Sequence, residues 1–145
     1  MDTAWLGQVG EELACRTLSD RGWLILHRNL RAPEAELDVV CLDGAVTVVV
    51  EVKTGRRPPA GWAPGRRPTD RVRPADLTRR LRAGRRLARG RGGARGPVRM
   101  DLVEVEVARS PRHRPRLIHW RDVRPGDGAV RRAGPDARGA RSHLQ

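Results

Sequence analysis

The stretch that decides the fold is Glu36-Leu37-Asp38-Val39-Val40-Cys41-Leu42-Asp43-Gly44-Ala45-Val46-Thr47-Val48-Val49-Val50-Glu51-Val52-Lys53. Two runs rich in β-branched residues flank Asp43-Gly44, and an Asp-Gly pair between such runs is a strong hairpin signal. The expectation is a buried antiparallel hairpin. With Asp43-Gly44 as a two-residue turn, Leu42 faces Ala45, Asp38 lies opposite Val49 and Glu36 opposite Glu51. Side chains alternate along a strand, so Glu36, Asp38, Val49, Glu51 and Lys53 share one face. Asp38 is then diagonal to Glu51, at about 7 to 8 Å between backbones.

Outward from the hairpin, Leu6, Val9, Leu13, Ala14, Thr17 and Leu18 recur at helical spacing between Trp5 and Gly22, and Gly22 supplies a stop. Trp23-Leu24-Ile25-Leu26 has strand character, and Asn29 to Pro33 reads as a connection. Residues 54–71 are rich in Pro, Gly and Arg and predict a mobile basic loop. Val72 to Arg89 predicts a basic helix with Gly84 as a weak point inside it. Val98 to Val107 and Arg116 to Trp120 read as strands. The expected fold class is α/β, a mixed central sheet flanked by helices in the order α-β-β-β-α-β(-β). One domain is expected over 1–121, followed by a disordered basic tail over 122–145.

The 145 residues carry a formal net charge of +13. Through Lys53 the chain has nine acidic and five basic residues (net −4), leaving eight acidic and 25 basic beyond it (net +17). A basic excess of this size attracts polyanions, because each neutralised phosphate releases condensed counterions. Nucleic acid is the leading partner class, and the family resemblance described below favours DNA over RNA. The competing account is an arginine-rich composition that merely spreads solvated charge. Cys15 and Cys41 lack CxxC spacing, so neither a disulfide framework nor a zinc cluster is expected. No apolar run approaches the roughly 20 residues of a membrane span, and the first ten residues lack the pattern of a signal peptide. A cytoplasmic location with no membrane partner is the expectation.

Twenty-nine of the 30 basic residues are arginine, and the single lysine is Lys53. Lysine places a compact ammonium on a flexible stem where arginine places a planar fork, so the exception draws attention to position 53. Two carboxylates converging at the end of an apolar hairpin repel each other unless a hard cation bridges them, which points to Mg²⁺ or Mn²⁺. The bland alternative leaves Glu51 and Lys53 as solvent-facing residues at a strand end. On the first helix Glu11 flanks the apolar stripe and Glu12 is nearly opposite it, so only Glu11 can approach a site on the sheet. His27, His113, His119 and His143 are scattered without metal-ligand spacing and receive no catalytic role. Of the tryptophans, only Trp62, in the basic loop, is a candidate base contact.

Gly10-Glu11-Glu12-Leu13-Ala14, Glu36-Leu37-Asp38 and Val50-Glu51-Val52-Lys53-Thr54, in this order, resemble the YraN family of bacterial proteins, with the likeness running from about Trp5 to Trp120. The resemblance implies the restriction-endonuclease-like, PD-(D/E)XK fold of Holliday junction resolvases. It implies Asp38, Glu51 and Lys53 as the catalytic triad, with Asp38 and Glu51 on the metal and Glu11 matching the helix glutamate. Ala35 replaces the family's usual glycine, and its helix lysine is replaced around Asp76 to Arg79. The function expected is metal-dependent hydrolysis of phosphodiester bonds in structured or branched DNA. The Val52 carbonyl is a further candidate ligand, and Arg56, Arg57, Arg66, Arg67, Arg79, Arg80 and Arg82 are candidates to grip the backbone. A homodimer like that of the resolvases is left open. The alternatives are a non-catalytic nucleic-acid-binding module of the same fold and a ribosome-associated basic protein.

Overall fold

The computed structural model describes residues 3–90, 96–125 and 130–131. The elements run α1 (Thr3–Asp20), β1 (Leu24–Arg31), β2 (Glu36–Asp43), β3 (Val46–Arg56), a 3₁₀ turn (Pro68–Arg71), α2 (Pro74–Gly90), β4 (Val98–Val107) and β5 (Arg116–Trp120). A short ladder, β6 (Arg124–Pro125) with β7 (Val130–Arg131), follows. The five long strands form one sheet in the order β1-β2-β3-β4-β5, antiparallel except for the parallel β3–β4 pair. This is the mixed α/β architecture expected. The parallel pair follows from α2, whose crossover returns the chain to β4 beside β3.

The first helix ends as its glycine requires. Gly22 has φ +87°, Trp23 N donates to Leu18 O at 3.1 Å and Gly22 N donates to Ser19 O at 2.9 Å. That pair of bonds is the Schellman cap, which glycine reaches without a Cβ penalty. One face of the sheet buries Val39, Cys41, Val48, Val50, Val52 and Val105 against Ala14 and Leu18 of α1. The opposite face buries Val40, Val49, Met100, Leu102 and Trp120 against Leu77 and Ala83 of α2.

The hairpin is confirmed, but its turn lies one residue further on than expected. Asp43 stays in the ladder opposite Val46, the turn is Gly44-Ala45, and Gly44 has φ +58°. A positive φ at the first central position is the glycine-led solution for a two-residue hairpin turn. Asp43 is meanwhile held by the Arg99 guanidinium at 3.0 Å. The register becomes Val40↔Val49 and Val39↔Val50, so the expected pairings of Asp38 with Val49 and Glu36 with Glu51 are overturned. Continuing the ladder by one step sets Asp38 beside Glu51.

Three other boundaries change. β1 runs through Arg31, taking in residues expected to form a connection. β3 runs through Arg56 and the 3₁₀ turn occupies 68–71, so the segment expected as a loop over 54–71 shrinks to 57–67. That segment is tied down by Trp62 Nε1, which donates to Glu106 Oε1 at 2.8 Å, and by Arg67. Val123, placed in the expected tail, is 1% exposed and donates its N–H to Met100 O at 2.7 Å, so the packed core continues past Trp120. The remainder of that tail, 126–129 and 132–145, lies outside the described residues.

Gly84 is not a weak point in α2. A Cβ at Gly84 would lie 2.5 Å from Val49 Cγ2 and 3.1 Å from Val98 Cγ1, so the helix needs a hydrogen there to reach the sheet. Gly84→Ala gains up to about 1 kcal/mol in helix propensity but overpacks a branched side chain at a cost of about 1–3 kcal/mol. The expected outcome is net destabilisation, seen as a lower denaturant midpoint; a variant as stable as the wild type would show that α2 can move outward freely.

Candidate metal centre

β2 and β3 part company just where their acidic residues lie. The last backbone pair is Val39↔Val50, and beyond it Val52 N donates to Asp38 Oδ2 at 2.8 Å, a side chain standing in for the next rung. Across β2 on the other side, Asn29 falls between the pairs Arg28↔Val39 and Leu30↔Leu37, and its φ is +49°. Asparagine is among the few residues that tolerate this left-handed conformation. The kink shows in the packing: Leu37 and Val39, two residues apart, belong to opposite faces of the sheet. Asp38 thereby leaves the regular alternation and reaches the backbone of β3.

Glu51 is 3% exposed on the α2 side. Lys53 Nζ lies 3.2 Å from its Oε1 and Arg80 Nε lies 2.8 Å from its Oε2. The Arg80 contact has the distance of an ion pair without hydrogen-bond geometry, and both Glu51 Oε2 and Arg80 Nε are without a hydrogen bond. Burial, and then the charge of Asp38, push the Glu51 carboxyl up to about 7 against the pull of Arg80 and Lys53. Glu11 of α1 reaches the same neighbourhood. Its carboxyl is raised by burial and by Asp38, while a side-chain hydrogen bond with Asn29 holds it down. Gly10 makes this approach possible, since a Cβ there would fall 1.8 Å from Thr54 Oγ1.

The structure thus brings together Asp38, Glu51, Lys53 and the edge of Glu11, while Glu36 remains exposed and paired with Arg31. A cleft of about 540 Å³ opens beside them, lined by Glu11, Val52, Lys53 and, from the 57–67 segment, Trp62 and Arg66. Of the arginines expected at a ligand, two are committed elsewhere. Arg80 faces Glu51, and Arg67 Nη2 lies 2.6 Å from Glu104 Oε2 and 3.6 Å from Glu106 Oε1. Trp62 is likewise engaged, with its ring over Gly55 and its N–H on Glu106. Arg57, Arg66, Arg79 and Arg82 are exposed, Arg79 in a surface pair with Asp76, and Arg56 is half-buried at the end of β3. Sequence reasoning missed Asn29, whose only signal is an asparagine inside a strand, and the role of Arg80, which depends on how α2 lies on the sheet.

Among the described residues no three His, Cys, Asp or Glu side chains come close enough to hold a metal ion by themselves. The residues nevertheless fit a hard divalent cation. Glu51 Oε2 is a buried carboxylate oxygen with no hydrogen bond, faced by Arg80 at 2.8 Å, and Asp38 lies near enough for its charge to raise the Glu51 carboxyl. The N–H and C=O of one strand residue point to the same side, so the Val52 carbonyl faces Asp38 beyond the last ladder pair. Mg²⁺ typically takes one or two carboxylates and completes its shell with water.

Fold and site together define an α/β protein with a mixed five-stranded sheet and a carboxylate–lysine cluster where its central hairpin opens. The profile of the uncharacterised protein family UPF0102 matches residues 10–105. The chain belongs to this family, the YraN family whose motifs it carries. A UPF0102 protein of Symbiobacterium thermophilum is 37% identical over 116 residues, covering 78% of this chain and 92% of that one. UPF0102 proteins of Kineococcus radiotolerans and Pseudarthrobacter chlorophenolicus are 48% identical over 58 residues and 53% over 51, stretches that span 48% and 39% of those relatives. Among the described residues no helix is long and apolar enough to cross a membrane.

The raised Glu51 carboxyl predicts a pH-dependent stability. Between its ordinary value of 4.5 and about 7, the unfolded chain has released this proton while the folded chain keeps it, so folding weakens as pH rises through that window. At about 1.4 kcal/mol per unit the loss is about 3 kcal/mol and is complete above pH 7. In chelator, denaturation of the wild type at pH 5 and pH 8 is expected to show this loss, and Glu51→Gln to remove it. Equal pH dependence in both proteins would mean that Glu51 ionises like an exposed glutamate.

Proposed function

We propose that the protein is a metal-dependent endonuclease with a restriction-endonuclease-like, PD-(D/E)XK core, acting on structured or branched DNA. The observation that carries this reading is the Asp38–Glu51–Lys53 cluster, in which a buried carboxylate, faced by the chain's single lysine on one oxygen and by Arg80 on the other, lies near a second carboxylate. Asp38, Glu51 and the Val52 carbonyl would hold Mg²⁺ or Mn²⁺, with Glu11 as a more distant acid. The cation would supply charge stabilisation at the phosphoryl group and a water nucleophile at neutral pH.

The chain's own residues perform the remaining work. Lys53 is 28% exposed and hydrogen-bonding distance from Glu51, so its ammonium can turn from that carboxylate toward a phosphate oxygen or the attacking water. Arg80 and Lys53 neutralise Glu51 from the α2 side, which lowers the cost of burying it and leaves the Asp38 side for the cation. The exposed Arg66 and Arg82, with Arg57 and Arg79 turning from their pairs with Glu106 and Asp76 and with Arg56 at the strand end, would grip phosphates, a readout of backbone shape rather than base sequence. Arg67 and Arg80 leave that set, because their guanidinium groups already answer buried glutamates.

A second reading, a non-catalytic nucleic-acid-binding module of the same fold, is favoured by one specific feature. Glu51 already has two cations against it, and the described residues hold no third acidic ligand at the same point. This reading predicts metal-independent binding with a steep salt dependence.

Calorimetric titration of Mg²⁺ and Mn²⁺ into the wild type and an Asp38→Ala, Glu51→Ala double variant, each with a short branched DNA, separates the two. Saturable binding lost in the variant, with cleavage that falls by roughly two to three orders of magnitude in Lys53→Ala, is the expected result. DNA binding with no metal uptake and no cleavage by the wild type would establish the module instead.

A further inference from the structure

A second concentration of charge lies outside this site. The β4–β5 connection reads Ala108-Arg109-Ser110-Pro111-Arg112-His113-Arg114-Pro115, with Arg116 opening β5, and no acidic residue occurs between Val107 and Trp120. It folds back on itself: His113 N donates to Ser110 O at 3.1 Å and Arg112 N donates to Ser110 Oγ at 3.3 Å. A groove of about 520 Å³ runs between this turn and the start of the 57–67 segment, lined by Arg57, Pro58, Arg109, His113, Arg114 and Arg116. Its one acid, Glu106, is 4% exposed and is answered by Arg67 at 3.6 Å, by Arg57 at 4.0 Å and by the indole N–H of Trp62.

The arginines here differ from those of the core. Arg67, Arg80 and Arg99 each face a buried acid. The side chains of Arg109, Arg114 and Arg116 are exposed and make no hydrogen bond or ion pair within the described residues. Several cations gathered along one groove, with the single buried acid Glu106 among them, repel each other, and a polyanion is the partner that turns the repulsion into attraction. The planar forks of arginine match phosphate oxygens. Pro58, Val107 and the aliphatic stems of the arginines give the groove apolar lining, and its positive charge is carried by Arg57, Arg109, Arg114 and Arg116.

We infer that this groove is a second phosphate-binding track, taking the backbone of a nucleic acid whose neighbouring segment lies at the Asp38–Glu51–Lys53 site. The parallel register supports the geometry. Lys53 pairs with Glu104 and Arg56 with Val107, so the β4–β5 turn begins at the same end of the sheet, three residues or roughly 10 Å beyond Lys53. Arg57 follows directly from β3 and bridges the two. Its β4–β5 arginines follow residues 10–105, the stretch that the family profile matches, while Arg57 and Pro58 lie within it. It rests on the nucleic-acid reading proposed above, and apart from Arg57 on different residues.

The test compares the full chain with an Arg109→Gln, Arg114→Gln, Arg116→Gln variant by fluorescence anisotropy. The probes are a short duplex and its single strand, in chelator, over a sodium chloride series. With about 0.9 in slope per phosphate contact on duplex DNA, the variant is expected to lose roughly 2–3 from the salt slope and roughly 10- to 100-fold in affinity. Its melting temperature, and its Mg²⁺ titration in the presence of DNA at saturating concentration, should match the wild type. Unchanged affinity and slope would overturn the track. A wild type that takes up Mg²⁺ but binds no nucleic acid would remove the track and leave the metal site. Nucleic-acid binding without metal uptake, weakened in the variant, would keep the track and remove the nuclease.

Discussion

One hydrogen bond organises the functional end of this protein. Where the β2–β3 ladder stops at Val39↔Val50, the carboxylate of Asp38 takes the Val52 N–H. A buried backbone donor without a partner costs about as much as a lost hydrogen bond, so the sheet cannot simply open at this point. Using a side chain as the rung lets β2 diverge while β3 continues through Arg56 against β4. The divergence brings Asp38 to the backbone of β3, near Glu51, and leaves the Val52 carbonyl on the same open edge. Asn29, in the left-handed region across from Asp38, bends β1 to follow.

Burying acids at that end demands compensation, and the basic excess of the chain supplies it locally. Glu51 is answered by Lys53 and Arg80, Glu104 by Arg67 and by Thr69, and Glu106 by Arg67 and Trp62. Apart from Glu51–Lys53, within β3, these pairs also join elements distant in sequence, because a buried charge is tolerable only with a partner in place. Arg80 thus seats α2 over β3, and the pairs at Glu104 and Glu106 seat the 57–67 segment over β4. At the far end of β4, Asp101 plays a similar part, accepting from Arg99 at 3.0 Å and from Asp122 N at 3.0 Å and contacting His119 at 2.8 Å. The fold therefore divides its arginines between counter-ions for the core and a surplus that faces solvent.

Much of the architecture was readable in the sequence because it is carried by local patterns. The 3.6-residue period of α1 and the capping glycine at Gly22, the valine-rich runs around Asp43-Gly44 and the order of the remaining elements are short-range signals. The cluster of Asp38, Glu51 and Lys53 was readable for the same reason, since a hairpin brings neighbours in sequence together and a single lysine among 29 arginines stands out. The register was misread because both Asp43-Gly44 and Gly44-Ala45 satisfy a two-residue turn. Arg99, distant in sequence, favours the one that keeps Asp43 in the strand.

What the sequence by itself determined is the fold class, the hairpin and the identity of the clustered acids and lysine, because hydrophobic period and turn chemistry act over a few residues. Only the tertiary structure decided which arginines are counter-ions and which remain available, that Gly84 is a contact rather than a flaw, and that Trp62 pins a segment to Glu106. Those outcomes depend on how helices and loops land on the sheet, where a single ångström of approach decides between a buried ion pair and an exposed charge. Arginine looks the same in sequence in both roles; its partner, or the lack of one, exists only in three dimensions.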